Sequence, residues 1–221
     1  MAGEKRVAVV LSGCGFLDGA EIQEAVCTLL SLDRRKAAVQ AFAPDVPQMH
    51  VVDHLRGEPV AGSSRGVLAE SARIVRGQVK DLAAARGGDF DALVFPGGYG
   101  AAKNLCSYAV EGRKLRVHAE VERLVREIHG ARKPIGFICI APIIGAKLLG
   151  SEAVKLTIGT DPGTAADVES FGAKHVACKV EEACVDEKAL VVSTPAYMLG
   201  PSVGPVSQGI DRLISAVLEM A

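Results

Sequence analysis

Among the residues of this 221-residue chain that can do covalent chemistry, Cys139 stands out by its setting. It sits in KPIGFICIAPIIGAKLLG, residues 133–150, where an apolar run of strand length gives way to a segment of helical period. Gly136 and Ala141 flank it with small side chains, and Pro142 follows where a helix does not need the missing N–H. Small neighbours relieve crowding where a strand turns sharply into a helix. Hydrolases present a nucleophile in that setting, although GxxCxA is not the GxSxG motif. A helix N-terminus stabilises a thiolate through its dipole and free N–H groups. The alternative is a buried, inert cysteine, the ordinary state of a thiol in an apolar run.

Two more loops follow strand-like runs and precede helix-like ones: SGCGFLDGAE (12–21) and PGGYGAAKNL (96–105). Ligands of open α/β sheets bind beyond the carboxyl ends of the strands, so the three loops are expected to enclose one pocket. Gly97 and Gly98 let backbone N–H groups approach an anion or a developing oxyanion closely. Tyr99 and Asn104 are candidate lining residues, and so is Cys14, read either as a small wall residue or as a second oxidisable thiol. Gly13, Gly15 and Gly19 invite a dinucleotide reading, but their spacing is GxGxxxG where the fingerprint is GxGxxG. Glycines that permit a tight turn are the simpler account.

Other polar residues have plainer readings. His50, Asp53 and His54 raise the thought of a metal, but no helical period supports an HxxxH face, so neither metal nor cofactor is expected. His118 and His129 fall near the ends of a charged helical segment, at expected surface positions. Cys27 is expected in the core, and Cys106, Cys178 and Cys184 carry no signal beyond composition.

The elements that must hold these loops alternate between two periods. RVAVVLS (6–12), AAVQAFAP (37–44), DALVF (91–95) and KPIGFI (133–138) read as buried strands, and the stretches between them read largely as helices. In EIQEAVCTLLSLDRR (21–35), Ile22, Ala25, Val26, Leu29, Leu30 and Leu32 fall largely on one helical stripe, the expected buried face. Residues 45–66 lack periodicity and predict a hairpin or excursion before a helix at VLAESARIVRG. After Gly150, KLTIG, KHVACKV, CVDEK and ALVVSTP read as short strands, followed by an amphipathic helix over about residues 206–219. This pattern predicts an α/β fold with a mostly parallel sheet, helices on both faces and an added small-strand edge.

Composition narrows the function classes. With 49% hydrophobic and 23% charged residues the chain is in the globular range, and its length suits one domain spanning residues 1–221. The 25 basic and 26 acidic side chains give no net field to draw it onto nucleic acid or a membrane surface. No apolar run approaches the roughly 20 residues that cross a bilayer. The six cysteines form no CxxC pair and read as free thiols of a reducing compartment. The expected location is the cytoplasm, or an organelle matrix if a transit peptide has been removed.

Several stretches together carry a family resemblance: LSGCGFLDGAEIQEA, FAPDVPQMHVVDH, SRGVLAESARIVRG, FPGGYGAAKNL, GFICIAP, LTIGTD and VVSTPAYM. From about Arg6 to Glu219 the chain resembles the ElbB-type, or isoprenoid-biosynthesis, glyoxalases of the ThiJ/PfpI branch of the class I glutamine amidotransferase-like superfamily. The resemblance implies a flavodoxin-like three-layer sandwich and a homodimer. It also implies that Cys139 is the nucleophile-elbow cysteine, that Glu24 is the acid contacting the thiol, and that the N–H groups of Gly98 and Ile140 form an oxyanion hole. The implied activity is cofactor-independent conversion of a small dicarbonyl, glyoxal or methylglyoxal, to glycolate or lactate through a Cys139 hemithioacetal. Some superfamily members place His directly after the nucleophile, where this chain has Ile140. The amidotransferase triad histidine has no convincing counterpart, since His175 lies in an ordinary strand entry, and Thr160 or Asp161 offers only weaker polar help. A redox sensor built on an oxidisable Cys139, or a scaffold acting through a partner surface, is the rival expectation.

Overall fold

The computed structural model describes residues 4–221. Strands run β1 (Arg6–Val10), β2 (Ala38–Ala43), β3 (Val52–Asp53), β4 (Glu58–Pro59), β5 (Val79–Asp81), β6 (Ala92–Phe95), β7 (Ile135–Ile138), β8 (Lys155–Leu156), β9 (Lys174–His175), β10 (Cys184–Asp186) and β11 (Val191–Thr194). Helices run α1 (Ile22–Arg34), α2 (Val67–Ile74), α3 (Tyr99–Lys103), α4 (Tyr108–Glu111), α5 (Ala119–Gly130), α6 (Pro142–Leu149), α7 (Pro162–Ser170) and α8 (Val203–Met220). Seven strands form the main sheet in the order β10-β11-β7-β6-β1-β2-β5. Every pairing is parallel except β10 with β11. This is the mixed, mostly parallel sheet of a flavodoxin-like sandwich.

The pleat sorts each central strand between two cores. Ala8, Val10, Leu93, Phe95, Ile135 and Phe137 face one cluster with α5 and α6, while Val7, Val9, Ala92, Val94 and Ile138 face the other, with α1 and α8. Both faces are dry, so the strands read as continuous apolar runs rather than alternating ones. No described helix is long and apolar enough to cross a membrane.

Three local expectations need amendment. On α1, Ile22, Val26 and Leu30 are close to half exposed, and the buried face is Glu24, Ala25, Thr28, Ser31 and Leu32. Polar partners make that burial tolerable: Thr28 Oγ1 donates to Glu24 O at 2.8 Å, and Ser31 Oγ donates to Asp211 Oδ1 on α8 at 2.7 Å. Cys27 on the same helix is accordingly only partly buried. The C-terminal strands divide, since β8 and β9 pair with each other in a separate two-stranded sheet, and β11 lies inside the main sheet rather than at its edge. Side chains tether β8 to the main sheet: Lys155 N–H donates to Asp186 Oδ2 and Thr157 N–H to Ser193 Oγ, both at 2.8 Å. The excursion after β2 does contain an antiparallel hairpin, β3–β4.

Candidate active site

β7 ends at Ile138, and the next residue turns the chain toward α6. Cys139 takes φ = +63°, a left-handed conformation that a side-chain-bearing residue adopts at a cost of about 1–3 kcal/mol. Surrounding bonds hold it there: Cys139 N–H donates to Thr194 O at the end of β11 at 2.9 Å, and Ala141 N–H donates to Ile138 O at 3.0 Å. Pro142 opens α6, as its missing N–H allows. The strand–cysteine–helix turn read from GxxCxA is therefore present.

Glu24 comes to the same point from the first turn of α1. It is fully buried, with Oε2 accepting from Gly97 N–H at 3.0 Å and Oε1 from Tyr197 N–H at 3.2 Å. Its carboxyl also hydrogen-bonds the Cys139 thiol. Burial pushes the Glu24 pKa up to about 8, reinforced by the charge of Glu21 and opposed by its bonds from Tyr197, Cys139 and Gly97. Glu21 caps α1 by accepting from Glu24 N–H at 2.6 Å, and burial raises its own pKa.

Burial likewise pushes the Cys139 thiol well up, with Glu24 adding to the rise. The backbone N–H groups of Gly98 and Ile140 favour the thiolate and pull in the opposite direction. The favourable helix terminus expected from sequence is thus outweighed by desolvation and the neighbouring carboxyl. A thiolate forms here only as Glu24 takes up the proton.

The glycines fit loops together backbone to backbone. A Cβ on Gly97 would stand 2.4 Å from Cys139 Cβ and 2.7 Å from Glu24 Oε2, and one on Gly19 would stand 2.3 Å from Cys14 N. Gly98 has φ = +90° and no room for a Cβ, which would meet Glu21 N at 2.4 Å. Gly98 and Gly100 of the second loop therefore serve close packing against the first loop, where Gly100 N–H donates to Gly19 O at 2.8 Å and Tyr99 N–H to Phe16 O at 2.7 Å.

A cavity of about 660 Å³ opens over Cys139, with Gly98, Ile140, Glu21 and Tyr99 in its wall. Of the other lining candidates, Gly97 is outside the wall, with its N–H donating to Glu24 Oε2. Cys14, Asn104 and Thr160 are outside the wall. Cys14 is half-buried near Glu70 and Arg73, and burial raises its pKa. Asn104 is a buried tie, its Nδ2 donating to Ser12 O at 2.8 Å and Asp18 O at 2.9 Å while Oδ1 accepts from Met49 N–H at 3.0 Å. Thr160 is exposed, and Thr164 on α7 stands in the wall instead. Asp161 caps α7 by accepting from Thr164 N–H at 2.7 Å.

Three of the five histidines have structural partners. His54 Nε2 accepts from Leu17 N–H at 3.3 Å and Nδ1 donates to Val52 O at 3.1 Å, while Asp53 Oδ1 accepts from Leu55 N–H at 2.9 Å and His50 is exposed. His118 caps α5, His129 pairs with Glu152, and His175 lies in β9, outside the cavity wall. Sequence reasoning missed Phe16, Glu21, Gln23, Tyr108, Tyr197 and Met198 of the wall. It also missed a thiol pair: Cys178 and Cys184 hydrogen-bond each other, which lowers the Cys178 pKa to about 7.

No family model matches the chain. It is 50% identical over 224 residues to the rat ES1 protein homolog, mitochondrial, covering 97% of this chain and 84% of that one. It is also 50% identical over 224 residues to the human glutamine amidotransferase-like class 1 domain-containing protein 3, mitochondrial, covering 97% and 83%. An isoprenoid biosynthesis protein with an amidotransferase-like domain from Ehrlichia chaffeensis superposes with a TM-score of 0.91 at 40% identity, covering 98% of this chain and 99% of that one. A DJ-1 superfamily protein from Salmonella typhimurium, 21% identical, shares the fold with a TM-score of 0.54 over 98% of this chain and 88% of its own.

Proposed function

Because the chain belongs to the family of ES1 and glutamine amidotransferase-like class 1 domain proteins, we propose that its elbow cysteine makes it a glutathione-independent glyoxalase of the ElbB type. The observation that carries this reading is Cys139 in a left-handed turn, next to a protonatable Glu24 and to the N–H groups of Gly98 and Ile140 that favour its thiolate.

The chemistry follows from that arrangement. Glu24 as carboxylate takes the thiol proton as sulfur attacks the aldehyde carbon of glyoxal or methylglyoxal, and a hemithioacetal forms. Gly98 N–H and Ile140 N–H, which favour negative charge on the sulfur, are the candidate donors to the oxyanion that forms on the attacked carbon. Glu24 returns the thiol proton to the oxyanion and, as carboxylate again, removes the proton of the attacked carbon. It then protonates the neighbouring carbon of the enediol while the hydroxyl proton of the first carbon passes to the second oxygen, so that the first carbon becomes a thioester and the second an alcohol. Water hydrolyses the thioester, releases glycolate or lactate and restores the thiol. A carboxyl with a pKa near 8 suits both proton uptake and return near neutral pH.

The Cys139 redox-sensor reading is weaker, because a sensor thiol needs a depressed pKa and this one is raised. The names of the rat and human relatives favour an organelle matrix over the cytoplasm as the site of action. The test incubates purified protein with methylglyoxal and no glutathione and measures lactate by chromatography. Wild type forms lactate, and Cys139→Ser is reduced to the buffer rate. Equal lactate from the two proteins would remove the proposal.

A further inference from the structure

The cavity is much larger than the small dicarbonyls just considered, and its chemistry is one-sided. At roughly 30 Å³ per water, 660 Å³ corresponds to on the order of twenty water molecules. It lies within the range of about 300–1,000 Å³ typical of sites for drug-sized ligands, so a two- or three-carbon dicarbonyl would leave most of it wet. Beyond the reacting groups, Phe16, Tyr99, Tyr108, Ile140, Tyr197 and Met198 dominate the wall.

Two of the three wall tyrosines have their hydroxyls engaged by other side chains. Tyr108 Oη donates to Asp167 Oδ2 at 2.7 Å, and Tyr197 Oη donates to Gln23 Oε1. Among the described residues, no Lys, Arg or His belongs to the wall. Lys103, 5.4 Å from the Tyr99 ring centre, donates instead to Leu17 O at 2.7 Å. The ionisable groups in the wall besides the tyrosines and Cys139 reduce to Glu21, whose carboxyl disfavours an anionic ligand tail. Phosphorylated aldehydes and dicarboxylates therefore have no cationic partner there.

We infer that the cavity accepts an uncharged, apolar tail, so that the substrate is a 2-oxoaldehyde bearing an aryl group or an alkyl chain longer than methyl. The inference rests on the glyoxalase reading for its reacting end and on the cavity alone for its tail. The aldehyde carbon meets Cys139, while the tail covers the aromatic and Met198 surfaces and displaces water from them. Each methylene buried there is worth up to about fourfold in affinity.

The test has two arms. In the first, kcat/KM is measured for glyoxal, methylglyoxal, straight-chain 2-oxoaldehydes of increasing length and phenylglyoxal. The expected result is a rise of about two- to fourfold per methylene, with phenylglyoxal at least tenfold above methylglyoxal. Ala109→Phe, which fills part of the cavity, flattens the series. Turnover that is equal across the series, or best for glyoxal, overturns the inference and leaves the glyoxalase reading standing.

The second arm requires no turnover. Peptide-resolved mass spectrometry follows addition of the Cys139 thiol across the double bond of N-alkylmaleimides, the sulfur bonding one alkene carbon and a proton ending on the other. Rates are normalised to glutathione. They are expected to climb with alkyl length at Cys139 and to stay flat at Cys178. If no dicarbonyl is turned over, the glyoxalase reading fails, and this arm decides the cavity's ligand class by itself. A flat series at Cys139 would overturn the apolar tail.

Discussion

Two buried acids beside one another do not ionise independently. Cys139 and Glu24 together shed their first proton only when pH approaches the Glu24 value of about 8, wherever the remaining proton resides. Cys178 behaves differently, because a hydrogen bond from Cys184 favours its thiolate and brings its pKa to about 7. At pH 7 limiting iodoacetamide should therefore label Cys178 first and Cys139 several-fold more slowly, as read by peptide mapping. Faster labelling of Cys139 would show that its sulfur is not held down by burial. Sequence pointed to Cys139 through its small neighbours and Pro142, yet it did not show that the thiol is buried against a carboxyl. Glu24 was visible only through family resemblance, because an acid in the first turn of a helix ordinarily reads as a solvated partner of the dipole. The Cys178–Cys184 contact was hidden because it depends on how the loop after β9 returns to β10.

Elements place these atoms by close approach rather than by long-range fields. β7 and β11 fix the elbow, the first turn of α1 delivers Glu24, and the loop after β6 supplies Gly97 and Gly98. Gly97→Ala forces a methyl into Cys139 Cβ and Ile138 O, so we expect a loss of about 1–3 kcal/mol of stability together with most of the activity. For a chain of this size that is a fall in Tm on the order of 2–12 °C by calorimetry. Gly88→Ala, whose added carbon meets nothing within 4 Å, is the matched control and should leave Tm unchanged. Equal Tm values would mean that the loop is not packed as described. The central strands were legible because burial on both faces leaves uninterrupted apolar runs. β5 was not, since its Val79, Lys80 and Asp81 form a short edge strand with no periodic signal. The orientation of α1 was misread because hydrophobicity assigns Ile22, Val26 and Leu30 inward, whereas bonds to Asp211 and the elbow draw its polar face to the core.

On the scale of the whole molecule, that inversion leaves an apolar stripe on the same helix that carries Glu24. Ile22, Val26 and Leu30 follow one another at one-turn intervals, the spacing of a helix face awaiting a partner. A homodimer burying this stripe is the expected solution state. Val26→Glu should shift the mass measured by light scattering from dimer to monomer, while an unaltered dimer would place its interface elsewhere. Sequence reading foresaw the sandwich and the convergence of the Cys139 and Gly97–Gly98 loops. It did not foresee the breadth of the cavity, whose wall also draws on α4, α7 and the turn after β11. The shared proton at the centre is tested most directly by the pH profile of kcat/KM for methylglyoxal between pH 6 and 9.5. The deprotonated pair is the reactive form, so wild type should gain about tenfold per pH unit below the Glu24 pKa of about 8 and level off above it, and Glu24→Gln should lose that limb. A flat wild-type profile, or the same inflection in Glu24→Gln, would contradict a nucleophile activated by Glu24.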